Sequence, residues 1–269
     1  MGFEHKKSLG QHFLTSDVVP KWMCDAANLQ VGEIVLEVGP GTGVLTREIL
    51  NRGARVIALE ADTRALAVLQ DTFADEIASG ALSLHHSDVR KLDFSTLGVV
   101  GGQYKVVANI PYYLSGHLFR SFLETNYQPT TLVFLVQREV AKRITTERTR
   151  GEKESILSLS VKAYGTPTYI RTVTKGHFNP PPQIDSAIIC ITPITKEAFT
   201  DIDEAFFFEL LHLGFGQKRK QLLGNLSNRF TKEQLLHSFS TLNLDPTVRA
   251  EDLDITMWLK LCRALTVHS

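Results

Sequence analysis

Cysteine is scarce in this chain. Only Cys24, Cys190 and Cys262 occur among 269 residues, far apart and with no C-x-x-C pair. That argues against a disulfide framework and against a structural zinc site, so reduced thiols and no metal are expected. Net charge is lacking as well, because 29 Lys and Arg balance 29 Asp and Glu. Bulk charge therefore announces no polyanionic partner, and any nucleic-acid surface must come from local clustering. No uninterrupted apolar run is long enough to span a bilayer, and the opening "MGFEHKKSLG" has no apolar signal core. Lys6 stands where a myristoylation motif after Gly2 requires Ser or Thr. A soluble cytoplasmic protein without membrane contact is the expectation. There is no internal repeat and no low-complexity tract.

What is present is ordinary globular material: 43% hydrophobic and 22% charged residues, enough for a sizeable core. Short runs rich in Val, Ile and Leu alternate with helical patterns. The runs are "EIVLEVG" (33–39), "ARVIALEAD" (54–62), "ALSLHHSD" (81–88), "YKVVANI" (104–110) and "TLVFLVQ" ending at Gln137. Between them lie helix-like stretches such as "GVLTREILNRG" (43–53) and "TRALAVLQDTF" (63–73). This alternation implies βαβ units and a parallel sheet covered on both faces. "SLSVKAYGTPTYIRTV" (158–173) and "SAIICITPI" (186–194) read as two further strands. From about Asp201 the pattern is helical, with Thr231 and Gln234 spaced as a capping box. The expected division is a Rossmann-like α/β domain over 1–195 and a small all-helical domain over 196–269.

The segment "EVGPGTG" (37–43) joins the first strand to the first helix. Gly39, Gly41 and Gly43 allow a ligand close to the backbone at a helix N-terminus. The third glycine comes one position too early for the dinucleotide fingerprint, and Pro40 removes a donor that a pyrophosphate needs, so NAD is disfavoured. Glu60 ends the second strand, twenty-one residues after Gly39, where a carboxylate accepts both hydroxyls of a ribose. Asp88 ends the third strand and can accept from an adenine amino group. Glu37, just before the loop, is placed to face a ligand's cationic end. Adenine, ribose and a positive charge without phosphate describe S-adenosylmethionine. The plainer alternative is that Glu60 and Asp88 cap the helices that follow.

After the fourth strand comes "NIPYYLSG" (109–116). Pro111 must end the strand. An amide, Asn109, followed by the aromatics Tyr112 and Tyr113, suits a site for a flat, hydrogen-bonding ligand. A capped turn with aromatics folded into the core is the alternative. Two basic clusters stand out further on. Arg138, Lys142, Arg143, Arg148, Arg150 and Lys153 fall within sixteen residues, and Lys218, Arg219 and Lys220 lie in "QKRKQ", with Lys6 and Lys7 adding charge near the N-terminus. Such runs are either solvated faces or an RNA surface.

These motifs together resemble the ribosomal RNA adenine dimethyltransferases, nearly end to end. The resemblance rests on "LGQHFL" (9–14), "EVGPGTGVLT" (37–46), "ALEAD" (58–62), "SDVRKLDF" (87–94), "NIPYYLSG" (109–116), "FNPPPQIDSAI" (178–188), "FGQKRKQLLGNL" (215–226) and "RAEDL" (249–253). It implies a class I S-adenosylmethionine-dependent methyltransferase with a seven-stranded sheet and a helical C-terminal domain. It implies cofactor contacts from Gln11, His12 and Leu14, with Glu37, Gly39 and Gly41, and with Glu60, Asp88, Val89 and Asn109. Asn109, Ile110, Pro111 and Tyr112 become the catalytic motif, Phe178 a stacking face, and the Tyr112 phenol oxygen is given no role. Arg138, Lys142, Arg143, Arg148, Lys218, Arg219 and Lys220 become RNA contacts. The implied substrate is a pair of adjacent adenines in the 3′-terminal hairpin of small-subunit rRNA, within a 30S particle or assembly intermediate, methylated by a monomer. His12 and Tyr113 depart from the commoner family residues. Two rival readings are the macrolide-resistance methyltransferases acting on large-subunit rRNA and a non-catalytic factor built on the same scaffold.

Overall fold

The structure is a computed structural model that describes residues 12–146 and 151–266. Gln11 and Arg148, together with Lys6, Lys7 and Arg150, lie outside the described residues. The elements run β1 (Phe13–Leu14), α1 (Val18–Ala26), β2 (Ile34–Val38), α2 (Val44–Asn51), β3 (Arg55–Glu60), α3 (Thr63–Thr72), α4 (Ala74–Ala78), β4 (Leu82–His86), β5 (Tyr104–Asn109), α5 (Ser115–Leu123) and β6 (Thr131–Gln137). They continue with α6 (Arg138–Ile144), α7 (Ile156–Lys162), β7 (Gly165–Val173), β8 (Phe178–Asn179), β9 (Ser186–Ile194), α8 (Glu204–Gly214), α9 (Leu222–Leu226), α10 (Lys232–Thr241) and α11 (Ile255–Thr266).

Seven strands form one sheet in the order β4-β3-β2-β5-β6-β9-β7, while β1 and β8 pair separately. Strands β2 to β6 are parallel to their neighbours, and β9 runs antiparallel to β6. Val106, Val107 and Ala108 of β5, and all of 132–136 in β6, have no exposed surface. That is the reason these runs show no polar alternation: helices cover both faces. Strand order reverses between β2 and β5, which leaves a crevice at the carboxyl ends of those strands.

One expectation needs correcting. Residues 158–162 are not strand. Ser155 starts helix α7 through a complete capping box, its Oγ accepting from the Ser158 amide while the Ser158 hydroxyl accepts from the Ser155 amide. A cap of this kind satisfies two orphan donors at once and overrides the weak strand pattern of "LSLSV". The strand begins only at Gly165.

Contacts divide the chain into two units, the first comprising the chain through Ala141 with Thr166–Ile194, and the second Lys142–Gly165 with the chain from Thr195. The expected boundary near 195 therefore misses that 142–165 groups with the C-terminal helices. The aromatic residue Tyr164 explains this within the second unit. Its ring stacks on Phe208 and tilts against Phe199, with centroids 6.1 and 5.2 Å away, and its hydroxyl bonds Glu204. Phe207, Leu211, Trp258 and Leu261 are fully buried there. The capping box read at Thr231 and Gln234 is present at the start of α10. Thr231→Ala is expected to cost about 1 kcal/mol of stability, the usual cost of losing a cap. Urea denaturation checks this, and an unchanged midpoint would mean that water replaces the cap freely.

Candidate active site

A cleft of about 350 Å³ opens in the first unit at the carboxyl ends of β2, β3, β4 and β5. Its floor is the glycine loop after β2. Gly41 has φ +58°, and a Cβ there would come within 2.7 Å of Phe13 Cε1, so the loop and β1 approach too closely for any side chain. Gly39 is different. A Cβ there meets nothing within 4 Å, and Gly39 lines the cleft, so the missing side chain widens the cradle.

Glu60 fastens this floor. Its Oε1 accepts from the amides of Ala61 and Asp62, both at 2.9 Å, and its Oε2 accepts from the Gly41 amide at 3.2 Å. The side chain is only 5% exposed yet lines the cleft. Asp88 also combines two roles. It accepts from the Arg90 amide at 3.0 Å and grips the Arg90 guanidinium, and it lines the cleft. The hydrogen bond from Arg90 holds the Asp88 carboxyl down at about 2, so it is ionised at any working pH. The capping and ligand-facing readings of these two acids are thus compatible. With Asp62, three carboxylates and one guanidinium, Arg90, face the cleft. Asp62 is paired with Arg64 and Asp88 with Arg90, while Glu60 is met by backbone amides, so Glu60 is the carboxylate left to favour a cationic group.

His12, Val89, Ile110 and Pro111 line the cleft too. At its far wall the end of β5 presents Asn109. The Asn109 Nδ2 donates to the His12 carbonyl at 3.1 Å, and His12 Nδ1 lies 2.8 Å from the Pro180 carbonyl. One of its two Nδ2 hydrogens is thereby engaged, and Oδ1 remains available as an acceptor. Tyr112 lies with its ring 5.7 Å from that of His12. Its hydroxyl is 2.6 Å from Ser186 Oγ, on a residue with no exposed surface at the start of β9. The phenol oxygen, to which the sequence assigns no role, anchors the ring.

Three expected site residues do not line the cleft. Leu14 is 5% and Phe178 4% exposed, and the two face each other across the β1–β8 ladder, which draws both into the core. Glu37 is 1% exposed beneath the loop and accepts from the Thr46 hydroxyl at 2.6 Å, tying β2 to α2. It is a buried brace and not a wall of the cleft. Sequence reasoning missed Phe13, Asp62, Ser87 and Arg90, all of which line it. Arg90 carried a signal, since an Arg two residues after a capping Asp can fold back onto it.

The basic residues separate into two groups. Arg138 is engaged, with Nη1 3.3 Å from Asp185 and Nε 3.6 Å from Glu139. Lys142, Arg143, Lys218, Arg219 and Lys220 are exposed, and all five belong to the second unit. The turn that carries 218–220 is fixed from beneath by Asn225. Its Nδ2 donates to the carbonyls of Gly214 and Gln217 at 2.6 and 3.2 Å. Lys153 is taken by Asp252 and Arg229 by Glu209. Among the described residues no group of three or more His, Cys, Asp or Glu could hold a metal, and no helix is long and apolar enough to cross a membrane.

Two outcomes follow from this geometry. Burial pushes the Glu37 carboxyl from its ordinary 4.5 up to about 8, against the Thr46 hydrogen bond and with the Glu60 charge adding. Between those values the folded state keeps a proton that the unfolded chain releases, so this group makes stability fall as pH rises. Glu37→Gln should therefore gain stability relative to wild type between about pH 5 and about pH 8. Parallel pH profiles in denaturant titrations would show that Glu37 is ionised. Separately, Tyr112→Phe strands the Ser186 hydroxyl in the core, with an expected loss of about 1–3 kcal/mol. A variant as stable as wild type would return the phenol to an idle role.

The chain can now be set beside known proteins. The family model described as "Ribosomal RNA adenine dimethylase" matches residues 2–266. A protein of Dehalococcoides mccartyi named "Ribosomal RNA small subunit methyltransferase A" is 39% identical over 259 residues, 96% of this chain and 87% of that one. A protein of the same name from Bacillus cereus is 35% identical over 277 residues, covering 99% and 93%. Among solved structures, a dimethyladenosine transferase from Plasmodium falciparum superposes with TM-score 0.79 at 25% identity, over 95% of this chain and 98% of that one. The 23S rRNA methyltransferase ErmE shares the fold, with TM-score 0.74 at 20% identity over 94% and 99%. A mostly parallel seven-stranded sheet, a cleft at its switch point and these matches agree, and the chain belongs to the ribosomal RNA adenine dimethylase family of methyltransferases.

Proposed function

We propose that the cleft binds S-adenosylmethionine and that the enzyme methylates N6 of two adjacent adenines in the 3′-terminal hairpin of small-subunit rRNA. The products are N6,N6-dimethyladenosines, made by a cytoplasmic monomer on a 30S particle or an assembly intermediate. The residues present suit this cofactor. Glu60 and Asp88 offer acceptors for ribose hydroxyls and an adenine amino group, and Gly39 leaves room for a nucleoside. When bound, the cofactor supplies an electrophilic sulfonium methyl.

The observation that carries the reading is the state of Asn109. Adenine N6 is a poor nucleophile because its lone pair is delocalised into the ring. Acceptors that hold its hydrogens favour the pyramidal nitrogen needed for attack. Asn109 stands at the end of β5 with Nδ2 on the His12 carbonyl, which leaves Oδ1 to accept an N6 hydrogen. The Ile110 carbonyl is the second acceptor, and Pro111, at φ −58°, fixes the turn between them. Tyr112, anchored on Ser186, supplies a rigid stacking face for a base that reaches the cleft unpaired or flipped out. Phe178 supports this wall from the core and needs no contact with the base. The methylated nitrogen becomes acidic as it forms, so no strong general base is required. Catalysis is orientation and preorganised polarity.

Lys142, Arg143, Lys218, Arg219 and Lys220 offer exposed charge for phosphates, a sequence-independent grip that suits structured RNA. Incubation with tritiated S-adenosylmethionine and either 30S or 50S particles from an unmodified strain tests the substrate. Label on adjacent small-subunit adenines is expected. Label only in 50S particles would select the macrolide-resistance type of reaction, and no label at all would select a non-catalytic factor.

Two variants test the division of labour. Asn109→Ala should fold normally and bind RNA, but single-turnover methyl transfer should fall by roughly 10² or more, as when one preorganised polar group is lost. A near wild-type rate would make the amide a turn cap only. Reversing Arg143 and Lys220 to Glu together should weaken RNA binding and flatten its salt dependence, because fewer counterions are released. An unchanged slope would make those clusters solvated faces.

A further inference from the structure

An exposed aromatic at the mouth of the cleft takes no part in the chemistry above. Tyr112 and Tyr113 are consecutive in one 3-10 turn, Tyr112–Leu114, and their side chains diverge. Tyr112 turns inward to Ser186. Tyr113 lines the same cleft, yet it is 63% exposed, against 38% for Tyr127, the next most exposed aromatic among the described residues. The turn that presents it is held on both sides. Leu114 is buried, and the Ser115 hydroxyl donates to the Tyr112 carbonyl at 2.9 Å. A large ring fixed in solvent at a site entrance is a ready contact surface.

The ring also has a charged neighbour. Arg90 lines the cleft and is fastened to Asp88 through its amide and guanidinium. Arg90 and Tyr113 both line this cleft. An aromatic face and a cation thus share one rim.

We propose that Tyr113 is a stacking platform for the nucleotide covalently next to the target adenine, with Arg90 on the same rim for its phosphate. This rests on the methyl-transfer reading. A base drawn into the cleft leaves its neighbour at the mouth, stripped of a stacking partner, and contacts to such flanking nucleotides help set substrate choice in base-flipping deaminases. An aromatic face accepts any base, so the platform grips the strand without reading its sequence. With two adjacent adenines as substrates, it would hold one while the other is methylated.

The experiment compares wild type with Tyr113→Ala and Tyr113→Phe. Methyl transfer to unmethylated 30S particles gives KM for RNA, calorimetry gives Kd for S-adenosylmethionine, and an RNA hairpin with 2-aminopurine beside the target adenine reports stacking by fluorescence quenching. Tyr113→Ala should raise KM for RNA about tenfold, the size of effect when one stacking ring is lost, and abolish the quenching. Tyr113→Phe should keep both near wild type, because the face and not the hydroxyl does the stacking. A Tyr113→Ala enzyme with wild-type KM and quenching overturns the inference. So does a variant whose S-adenosylmethionine Kd rises while KM for RNA does not, since Tyr113 would then be a wall for the cofactor. Wild-type enzyme that labels no RNA overturns the inference together with the reading it rests on.

Discussion

One carboxylate organises the site. Glu60 reaches from the end of β3 to the amide of Gly41 in the neighbouring loop and to the amides of Ala61 and Asp62 that open α3. Three backbone donors on one nearly buried carboxylate fix two loops against each other. The loop after β2 is also held by its own backbone, since the Gly39 amide donates to the Leu59 carbonyl and the Gly43 amide to the Pro40 carbonyl, both at 2.9 Å, and Glu60 adds a side-chain tie at Gly41. The cleft exists because the strand order reverses there, and Glu60 ties its floor to the end of β3. The acid that would bind the ribose is therefore also the acid that shapes its seat.

The opposite wall is built by a second economy of groups. Asn109 gives one Nδ2 hydrogen to the His12 carbonyl, so the segment entering β1 and the end of β5 share one hydrogen bond. That bond orients the amide and leaves its oxygen as the acceptor. Tyr112 is held at its phenol by Ser186 and lies beside His12. Each group in this wall has one polar atom spent on structure and one face available for a ligand, which is how preorganisation is obtained without a buried unsatisfied group.

Much of this was legible in the sequence, for identifiable reasons. The buried strands announced themselves as apolar runs because both faces of the sheet are covered. Gly39, Gly41, Glu60, Asp88 and Asn109 were legible because each sits at or within three residues after a strand's carboxyl end, where spacing from the preceding element defines position. What was missed depended on contacts distant in sequence. Glu37 and Phe178 look like site residues by position, but their side chains turn into the core toward Thr46 and the β1–β8 ladder. Ser186 lies 74 positions from Tyr112, and no local pattern predicts that bond. The grouping of 142–165 with the C-terminal helices was hidden similarly, since it rests on Tyr164 meeting Phe199 and Phe208.

The central claim is that Glu60 both shapes the cleft and binds a ribose within it. Calorimetry of S-adenosylmethionine and of its 3′-deoxyribose analogue, on wild type and on folded Glu60→Ala, tests this most directly. The account predicts that loss of the carboxylate and loss of the hydroxyl each weaken binding by about 1–3 kcal/mol, and that the two losses together cost little more than either alone. Unchanged affinity in Glu60→Ala, or two fully additive losses, would contradict it.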